Sequence, residues 1–257
     1  MNNLSYERLH NNLQFLKLNT IEEIIDNSLE IAAREEKTTM EVLDYLFEQE
    51  KKHREAVAVE RRMKSAVFPV KKTLEEFDFE FQKSIDKKVI EDLATLRFVH
   101  NSENIVFLGP PGVGKSHLAI ALGIEAVKAG ISVYFANTGN LIERLKTANR
   151  EGILEKKLRD LLKYKVLIID EIGYLQFDEE GAHCLFQLIS RRYEKNSTIL
   201  TSNKSYGEWG EIFKDQVIAA ALLDRILHHS TTINIKGESY RLKERKKQGI
   251  KTVNMYH

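Results

Sequence analysis

The stretch Gly109–Ser116 reads GPPGVGKS and directly follows the apolar run NIVFL. It matches every signature position of the phosphate-binding pattern G-x-x-x-x-G-K-[ST], with a strand-like run before it and a helix-like run after it. Glycines let the backbone curl so that its N–H groups point at phosphate oxygens, and the helix N-terminus adds partial positive charge. An ordinary glycine-rich turn is the alternative, but the complete match argues against it. The stretch therefore predicts a strand, a phosphate-binding loop and a helix in succession.

The loop predicts a site for ATP and Mg²⁺. Lys115 would reach the β- and γ-phosphates as a point charge, and the Ser116 hydroxyl would be a ligand of Mg²⁺. The residues predicted to surround the nucleotide are Gly109, Pro110, Pro111, Gly112, Val113, Gly114, Lys115, Ser116, His117 and Asp170.

Two adjacent acids end the apolar run VLIIDE at Val166–Glu171. Unpaired charges are costly within a buried strand, whereas ligands bind at the carboxyl ends of the strands in parallel sheets. Asp170 would hold Mg²⁺ through water, and Glu171 would act as the general base that polarises the attacking water. The alternative is a pair of strand-end charges that face solvent.

Two further polar residues are candidates for the catalytic site. Asn203 ends the run STILTSN, where an amide could position water and sense the γ-phosphate, although a strand-end asparagine can also simply make a turn. Arg225 lies in the apolar helix AAALLDRIL. It could be an arginine finger that reaches a neighbouring subunit's nucleotide, or a plain helix arginine in a salt bridge.

The order of elements predicts an α/β fold with a parallel sheet covered on both faces. Strands IVFL, ISVYFAN, VLIID and STILTSN alternate with helices, and a short helix is expected at about residues 86–98. Before them, Thr20 with Glu23 and Thr38 with Glu41 predict two capped helices, and LEEFDFEFQ has the period of an extended segment. We expect a helical domain over residues 1–70 and an ATPase domain over residues 71–257.

Composition restricts the class of protein. A formal net charge of +1 requires that any nucleic-acid surface be a local patch. A single cysteine excludes a disulfide within the chain, and no apolar run reaches the roughly 18 residues of a membrane span. The start MNNLSYERLHNN does not resemble a signal peptide. We therefore expect a cytoplasmic protein without a membrane partner.

With these elements in order, the chain resembles AAA+ ATPases of the helicase-loader and initiator branch. More narrowly it resembles the IstB-like ATP-binding proteins that assist insertion-sequence transposases, relatives of the DnaC helicase loader. The resemblance covers roughly residues 70–245 and is carried by LEEFDFEFQKSIDKKVIEDLATLRFV, NIVFLGPPGVGKSHLAIALG, KVLIIDEIGYL, STILTSNKSYGEW and LLDRILHHSTTINIKGESYR.

The resemblance implies that Asn203 is the first sensor and that Arg225 acts in trans. Phe77, Phe79 and Phe81 lie where such proteins pass near the adenine, although packing into the core explains three aromatic residues equally well. About twenty residues follow Ile235, too few for the helical lid of other AAA+ proteins, and IstB-like proteins share this lack.

Three basic segments are candidates for binding double-stranded DNA through its phosphates. In the branch resembled, an extra helix after the second strand faces DNA. The alternative for each segment is a solvated helix face. The candidates in the first two segments are Lys51, Lys52, Arg54, Arg61, Arg62, Lys64, Arg144, Lys146, Arg150, Lys156 and Lys157, and the third segment is the tail RLKERKKQGIK.

The function expected from these features is a DNA-binding AAA+ ATPase that forms homo-oligomers through its ATP site and assists a transposase. A helicase loader of the same fold is the alternative. A small-molecule phosphotransferase is less consistent with the IIDE pair and the basic helices, and a scaffold that hydrolyses ATP slowly is a fourth possibility.

Overall fold

A computed structural model describes residues 3–247, with side chains over residues 4–243. Its helices are α1 Asn3–Phe15, α2 Asn19–Arg34, α3 Thr39–Ala66, α4 Lys87–Ala94, α5 Arg97–His100, α6 Lys115–Lys128, α7 Thr138–Arg150, α8 Leu154–Leu162, α9 Glu179–Arg192, α10 Trp209–Phe213, α11 Gln216–Leu227 and α12 Tyr240–Lys247. Its strands are β1 Asn104–Leu108, β2 Val133–Asn137, β3 Val166–Ile172, β4 Ser197–Ser202 and β5 Ser230–Asn234.

The strands form one parallel sheet in the order β2-β3-β4-β1-β5. This confirms the predicted α/β class and places β4 between β1 and β3, so the ends of the three site-bearing strands adjoin. The sequence interpretation missed β5, which pairs with β1 along its whole length. Its residues STTIN are mostly polar because the strand lies at the edge of the sheet, where no continuous apolar run is needed.

The central strands are buried on both faces. Every residue of β4 is buried, and in β3 only Glu171 is partly exposed. Helix α6 is also buried along most of its length, and it contacts β1 and β3. The phosphate-binding loop therefore extends from a rigid, close-packed layer, which fixes its position.

The chain divides into two compact units, Met1–Arg61 and Arg62–His257, and α3 spans the division. The boundary expected at residue 70 between a helical domain and an ATPase domain stays a prediction. Over the described residues, none of the helices combines the length and apolarity that crossing a membrane requires.

Two local predictions at helix starts had different outcomes. The Thr38–Glu41 capping box is confirmed, with Thr38 N donating to Glu41 Oε2 at 2.8 Å and Glu41 N donating to Thr38 Oγ1 at 3.3 Å. The box at Thr20 is wrong, because α2 already begins at Asn19 and Glu50 accepts from the backbone N–H groups of Thr20 and Ile21. A side chain distant in sequence thus takes the place of a local cap.

The phenylalanine-rich segment is turned rather than extended, so that prediction is wrong. Phe77 N donates to Leu74 O and Gln82 N to Asp78 O, and the Asp78 carboxylate accepts from Phe81 N at 2.9 Å. These local bonds satisfy the backbone without a neighbouring strand.

Candidate functional site

The loop Gly109–Gly114 adopts a backbone that only glycine tolerates at its key positions. Gly112 has φ +84° and Gly114 has φ +102°, both in the left-handed region. A Cβ on Gly112 would lie 2.1 Å from Ser239 Oγ, and one on Gly114 would lie 2.6 Å from Phe77 Cε2. The predicted signature thus has two causes, backbone conformation and close approach of neighbouring segments.

Lys115 begins α6 and is almost fully buried. Its Nζ donates to Gly109 O at 2.6 Å and to Pro110 O at 2.8 Å, so the ammonium lies inside the curl of the loop. Burial lowers the pKa of Lys115 to about 8, although the charge of Asp170 opposes this shift. A buried cation without a bonded carboxylate is suited to an anionic ligand at the loop.

Ser116 and Asp170 meet across the sheet edge. Ser116 Oγ donates to Asp170 Oδ1 at 2.7 Å, and Thr201 Oγ1 donates to the same oxygen at 2.6 Å. Asp170 is buried, and its backbone carbonyl accepts from Thr138 Oγ1. A hydroxyl and a carboxylate in contact form the hard oxygen set that Mg²⁺ prefers, so the two residues fit the ion predicted for them.

Glu171 occupies a strained position in an irregular part of β3. Its φ is +68°, and the register between β3 and β4 shifts between Ile169 and Ile172. Thr201 Oγ1 accepts from Glu171 N at 2.9 Å, and Asn137 Nδ2 donates to the Glu171 carboxylate at 2.7 Å. Bulges and strained residues often re-aim side chains at functional sites, and here the irregularity falls at the two adjacent acids.

Asn203 follows the carboxyl end of β4. Its Oδ1 is buried and makes no hydrogen bond within the described part of the chain. A Cβ on Gly173 would lie 2.9 Å from this oxygen, so the backbone just after β3 passes close to the amide. Orphaned buried acceptors are costly, which makes Asn203 a candidate for contact with a ligand or water.

A family model described as IstB-like ATP binding protein matches residues 11–248. The chain is 52% identical over 242 residues to the ATP-binding protein of insertion sequence IS21 from Pseudomonas aeruginosa, covering 94% of this chain and 91% of that protein. Identity to the ATP-binding protein of insertion sequence IS5376 from Geobacillus stearothermophilus is 48% over 242 residues, covering 94% and 96%. The chain belongs to the IstB-like ATP-binding protein family.

Solved structures share the α/β P-loop NTPase fold of this IstB-like protein. The crystal structure of DnaI matches with a TM-score of 0.53 at 22% identity, covering 66% of this chain and 90% of that chain. AMPPCP-bound DnaA from Aquifex aeolicus matches with a TM-score of 0.53 at 19% identity, covering 73% and 58%.

Arg225 is not brought together with the other candidates of the IstB-like site. Its Nη1 donates to Ala221 O, and its guanidinium lies 4.7 Å from the ring centroid of Phe186. It lines a small cavity with Asn104 and Thr198, which begin or nearly begin their strands. The phosphate-binding loop follows the opposite end of β1, so Arg225 does not reach it within one chain.

A segment after β5, here called the strap and defined as residues 237–243, lies against the phosphate-binding loop. Tyr240 N donates to Gly112 O at 3.0 Å, and Gln82 Nε2 donates to Glu238 O at 3.1 Å. Arg241 is close enough to lower the pKa of Lys115. Sequence reasoning placed residues 241–243 in the basic tail as candidates for DNA contact and predicted no contact with the phosphate-binding loop, although the quoted GESYR run was the available signal.

The aromatic segment lies beside the loop. The Phe77 ring packs edge-on against His117 with centroids 5.2 Å apart, and Phe81 packs against Tyr240 of the strap at 5.4 Å. His117 Nε2 donates to Thr73 O at 2.7 Å, and burial lowers the pKa of the imidazole. The packing role is therefore observed at the phosphate-binding loop, and the proximity of these phenylalanines to the adenine stays a prediction.

The candidate DNA-binding side chains in α3 differ in how they are held. Lys51 and Lys52 are exposed and pair with Glu48 at 3.5 and 3.9 Å, contacts that contribute little at a surface. Arg54 instead donates to Glu50 and to Lys17 O, both at 2.7 Å. The remaining members are Arg61 and Lys64, which are exposed, and Arg62, which is partly buried.

The candidates on α7 and α8 also differ. Lys146 is buried and bonded to Asp178 at 2.5 Å, so it fastens α7 to the start of α9 rather than presenting a free charge. Arg150 donates to Glu180 at 2.8 Å, and Arg144 donates to the Tyr134 hydroxyl. In α8, Lys156 is exposed and Lys157 is partly buried. Most of the basic tail lies outside the residues whose side chains are described.

Two residues of the IstB-like site were missed by sequence reasoning. Asn137 ends β2 and bonds both Glu171 and Gly139 N, while Thr201 near the end of β4 joins the two acids of β3. Both follow the same rule as Asn203, since they lie at the carboxyl ends of parallel strands. That rule was the available signal for them.

Proposed function

We propose that this IstB-like protein hydrolyses ATP. The observation that carries the proposal is the chain of contacts Ser116–Asp170–Thr201–Glu171, which links the phosphate-binding loop to the proposed general base through three hydrogen bonds. An ordinary glycine-rich turn would not require two hydroxyl side chains and two acidic residues to be linked in this way.

The proposed chemistry assigns one task to each side chain. Loop amides and Lys115 hold the triphosphate, while Glu171 accepts a proton from the water whose oxygen forms a bond to the γ-phosphorus as the bond to ADP breaks. Asn203 orients that water through its unpartnered oxygen. Ser116 and Asp170 would hold Mg²⁺, which neutralises charge on the phosphates when bound.

The proposed biological role is ATP-controlled binding to double-stranded DNA in support of the transposase of the same insertion element. Its family membership supports the link to insertion sequences, and exposed lysines such as Lys51, Lys52 and Lys156 support phosphate contact. We also propose that homo-oligomers form through the ATP site, because Arg225 does not reach the loop of its own chain.

The test is ATP turnover with and without duplex DNA. Wild-type protein should hydrolyse ATP, and Glu171→Gln should retain ATP binding but lose about 10²–10⁴-fold in turnover, the usual contribution of a general base. The matched control is Glu179→Gln. Glu179 is an exposed acid that follows Glu171 in the chain, and the proposed chemistry gives it no task. Wild-type turnover in Glu171→Gln would contradict the assignment.

A second set of measurements tests DNA binding and distinguishes a transposase partner from a helicase partner. Binding of fluorescent duplex DNA should require ATP and should weaken steeply with salt, as phosphate contacts do. Stimulation of the element's transposase would support the proposed role, whereas binding to a replicative helicase alone would favour the loader.

A further inference from the structure

Two histidines and one glutamate converge at the amino end of the sheet, far along the strands from the phosphate-binding loop. Glu194 lies in the turn between α9 and β4, and His228 and His229 form the turn between α11 and β5. One ligand atom from each residue lies within 4.8 Å of the others. All three side chains are about half exposed, so an ion can reach them from solvent.

The distances from the Glu194 carboxylate to the two imidazoles fit a shared metal ion better than direct hydrogen bonds. Glu194 Oε1 lies 3.8 Å from His228 Nδ1 and 3.6 Å from His229 Nε2, and both distances are too long for hydrogen bonds. Two ligands on one tetrahedral Zn²⁺ lie about 3.3 Å apart when each bond is about 2.0–2.1 Å. Small side-chain rotations would therefore bring the three atoms to ligand positions.

The chemistry of the donors selects a class of metal. Imidazole nitrogens favour Zn²⁺, Ni²⁺ and Cu²⁺, whereas Mg²⁺ prefers oxygen ligands. His228 is the C-cap of α11, and the negative end of the helix dipole favours a cation there. The Tyr193 hydroxyl lies 2.8 Å from His228 Nδ1. When a metal ion binds this nitrogen, the hydroxyl must give up its hydrogen bond to the ring and either move away or become a further ligand of the ion.

We propose that Glu194, His228 and His229 form a site for a borderline transition-metal ion, of which Zn²⁺ is the representative. The ion would join the turn after α9 to the turn after α11. Helix α11 carries Arg225, whose guanidinium packs on Phe186 of α9. Metal binding would therefore fix the two helices that position this arginine.

The test is a calorimetric titration of Zn²⁺ into nucleotide-free protein, with millimolar Mg²⁺ present throughout to occupy oxygen-rich sites. The expected result is one saturable Zn²⁺ per chain, with the affinity lowered at least about tenfold in His229→Ala and in Glu194→Gln. The matched control is His183→Ala, which removes an exposed histidine elsewhere and should leave the affinity unchanged.

A second readout is the visible absorption of Co²⁺ bound in place of Zn²⁺, whose position and intensity change from those of hydrated Co²⁺ when protein ligands replace water. Wild-type protein should give a band that both site variants lose. The proposal is overturned if Zn²⁺ does not bind, or if His229→Ala and Glu194→Gln bind it as tightly as the wild type. Neither measurement involves ATP, so this failure is distinct from failure of the proposed ATPase activity.

Discussion

Replacing Thr201 by valine tests whether the two acids of β3 are positioned as a unit. Thr201 is fully buried, and its hydroxyl accepts from Glu171 N and donates to Asp170 Oδ1. Valine keeps the shape but leaves the N–H without its partner, at about 1–3 kcal/mol, and removes a bond to a charged group, at about 1.5–3 kcal/mol. The middle of these ranges predicts a loss of about 4 kcal/mol in the free energy of unfolding.

Thermal unfolding followed by circular dichroism measures this loss. For a chain of this size about 4 kcal/mol corresponds to a decrease of roughly 8–16 °C in melting temperature. Thr201→Ser is the control, because it keeps the hydroxyl and should retain most of the stability. Single-turnover hydrolysis should fall in Thr201→Val more than ATP affinity does, since Lys115 and the loop are untouched. Wild-type melting and wild-type turnover in the valine variant would refute the reasoning.

Two further substitutions test binding and stability separately. Lys115→Ala should abolish measurable binding of a fluorescent ATP analogue while the protein stays folded by circular dichroism, because it removes the buried cation inside the loop. Arg192→Met should lower the free energy of unfolding by about 3–5 kcal/mol in urea titrations, because it leaves the carbonyls of Leu161, Tyr164 and Ser197 without the fully buried guanidinium that they bond, at about 1–3 kcal/mol for each unsatisfied group. Unchanged ATP binding in the first variant, or an unchanged urea midpoint in the second, would contradict these expectations.

The sequence predicted the parts of the fold that depend on local pattern. Glycines at Gly112 and Gly114 are dictated by positive φ, and the apolar runs of β1, β3 and β4 are dictated by burial on both faces. Because these constraints act within a few residues, the strand–loop–helix unit and the positions of both acids could be inferred.

The parts that escaped prediction depend on tertiary contact. The phenylalanines alternate like a strand, yet Phe77 packs against Gly114 and His117, and the chain turns around it. The same holds for Thr201 and Asn137, whose roles arise only when β2, β3 and β4 are aligned. The spacing of residues along the chain does not predict how these strands align with one another.

Separation of Arg225 from the phosphate-binding loop makes its proposed role testable by mixing. Arg225 lines a cavity with Asn104 at the start of β1, while the loop follows Leu108 at the other end, about 13 Å away at the rise of a parallel strand. If the arginine completes a neighbour's site, Arg225→Ala should lose turnover while retaining ATP binding.

Lys115→Ala and Arg225→Ala should then complement each other. In a mixed oligomer, an Arg225→Ala chain can bind ATP and receive the intact arginine of a Lys115→Ala chain, so the mixture should hydrolyse more ATP than the sum of the separate proteins. Titrating one inactive variant into the other should give a maximum of activity at an intermediate ratio. If every mixture shows only the sum of the separate activities although the chains associate, Arg225 does not act between subunits and its contact with Phe186 is its structural role.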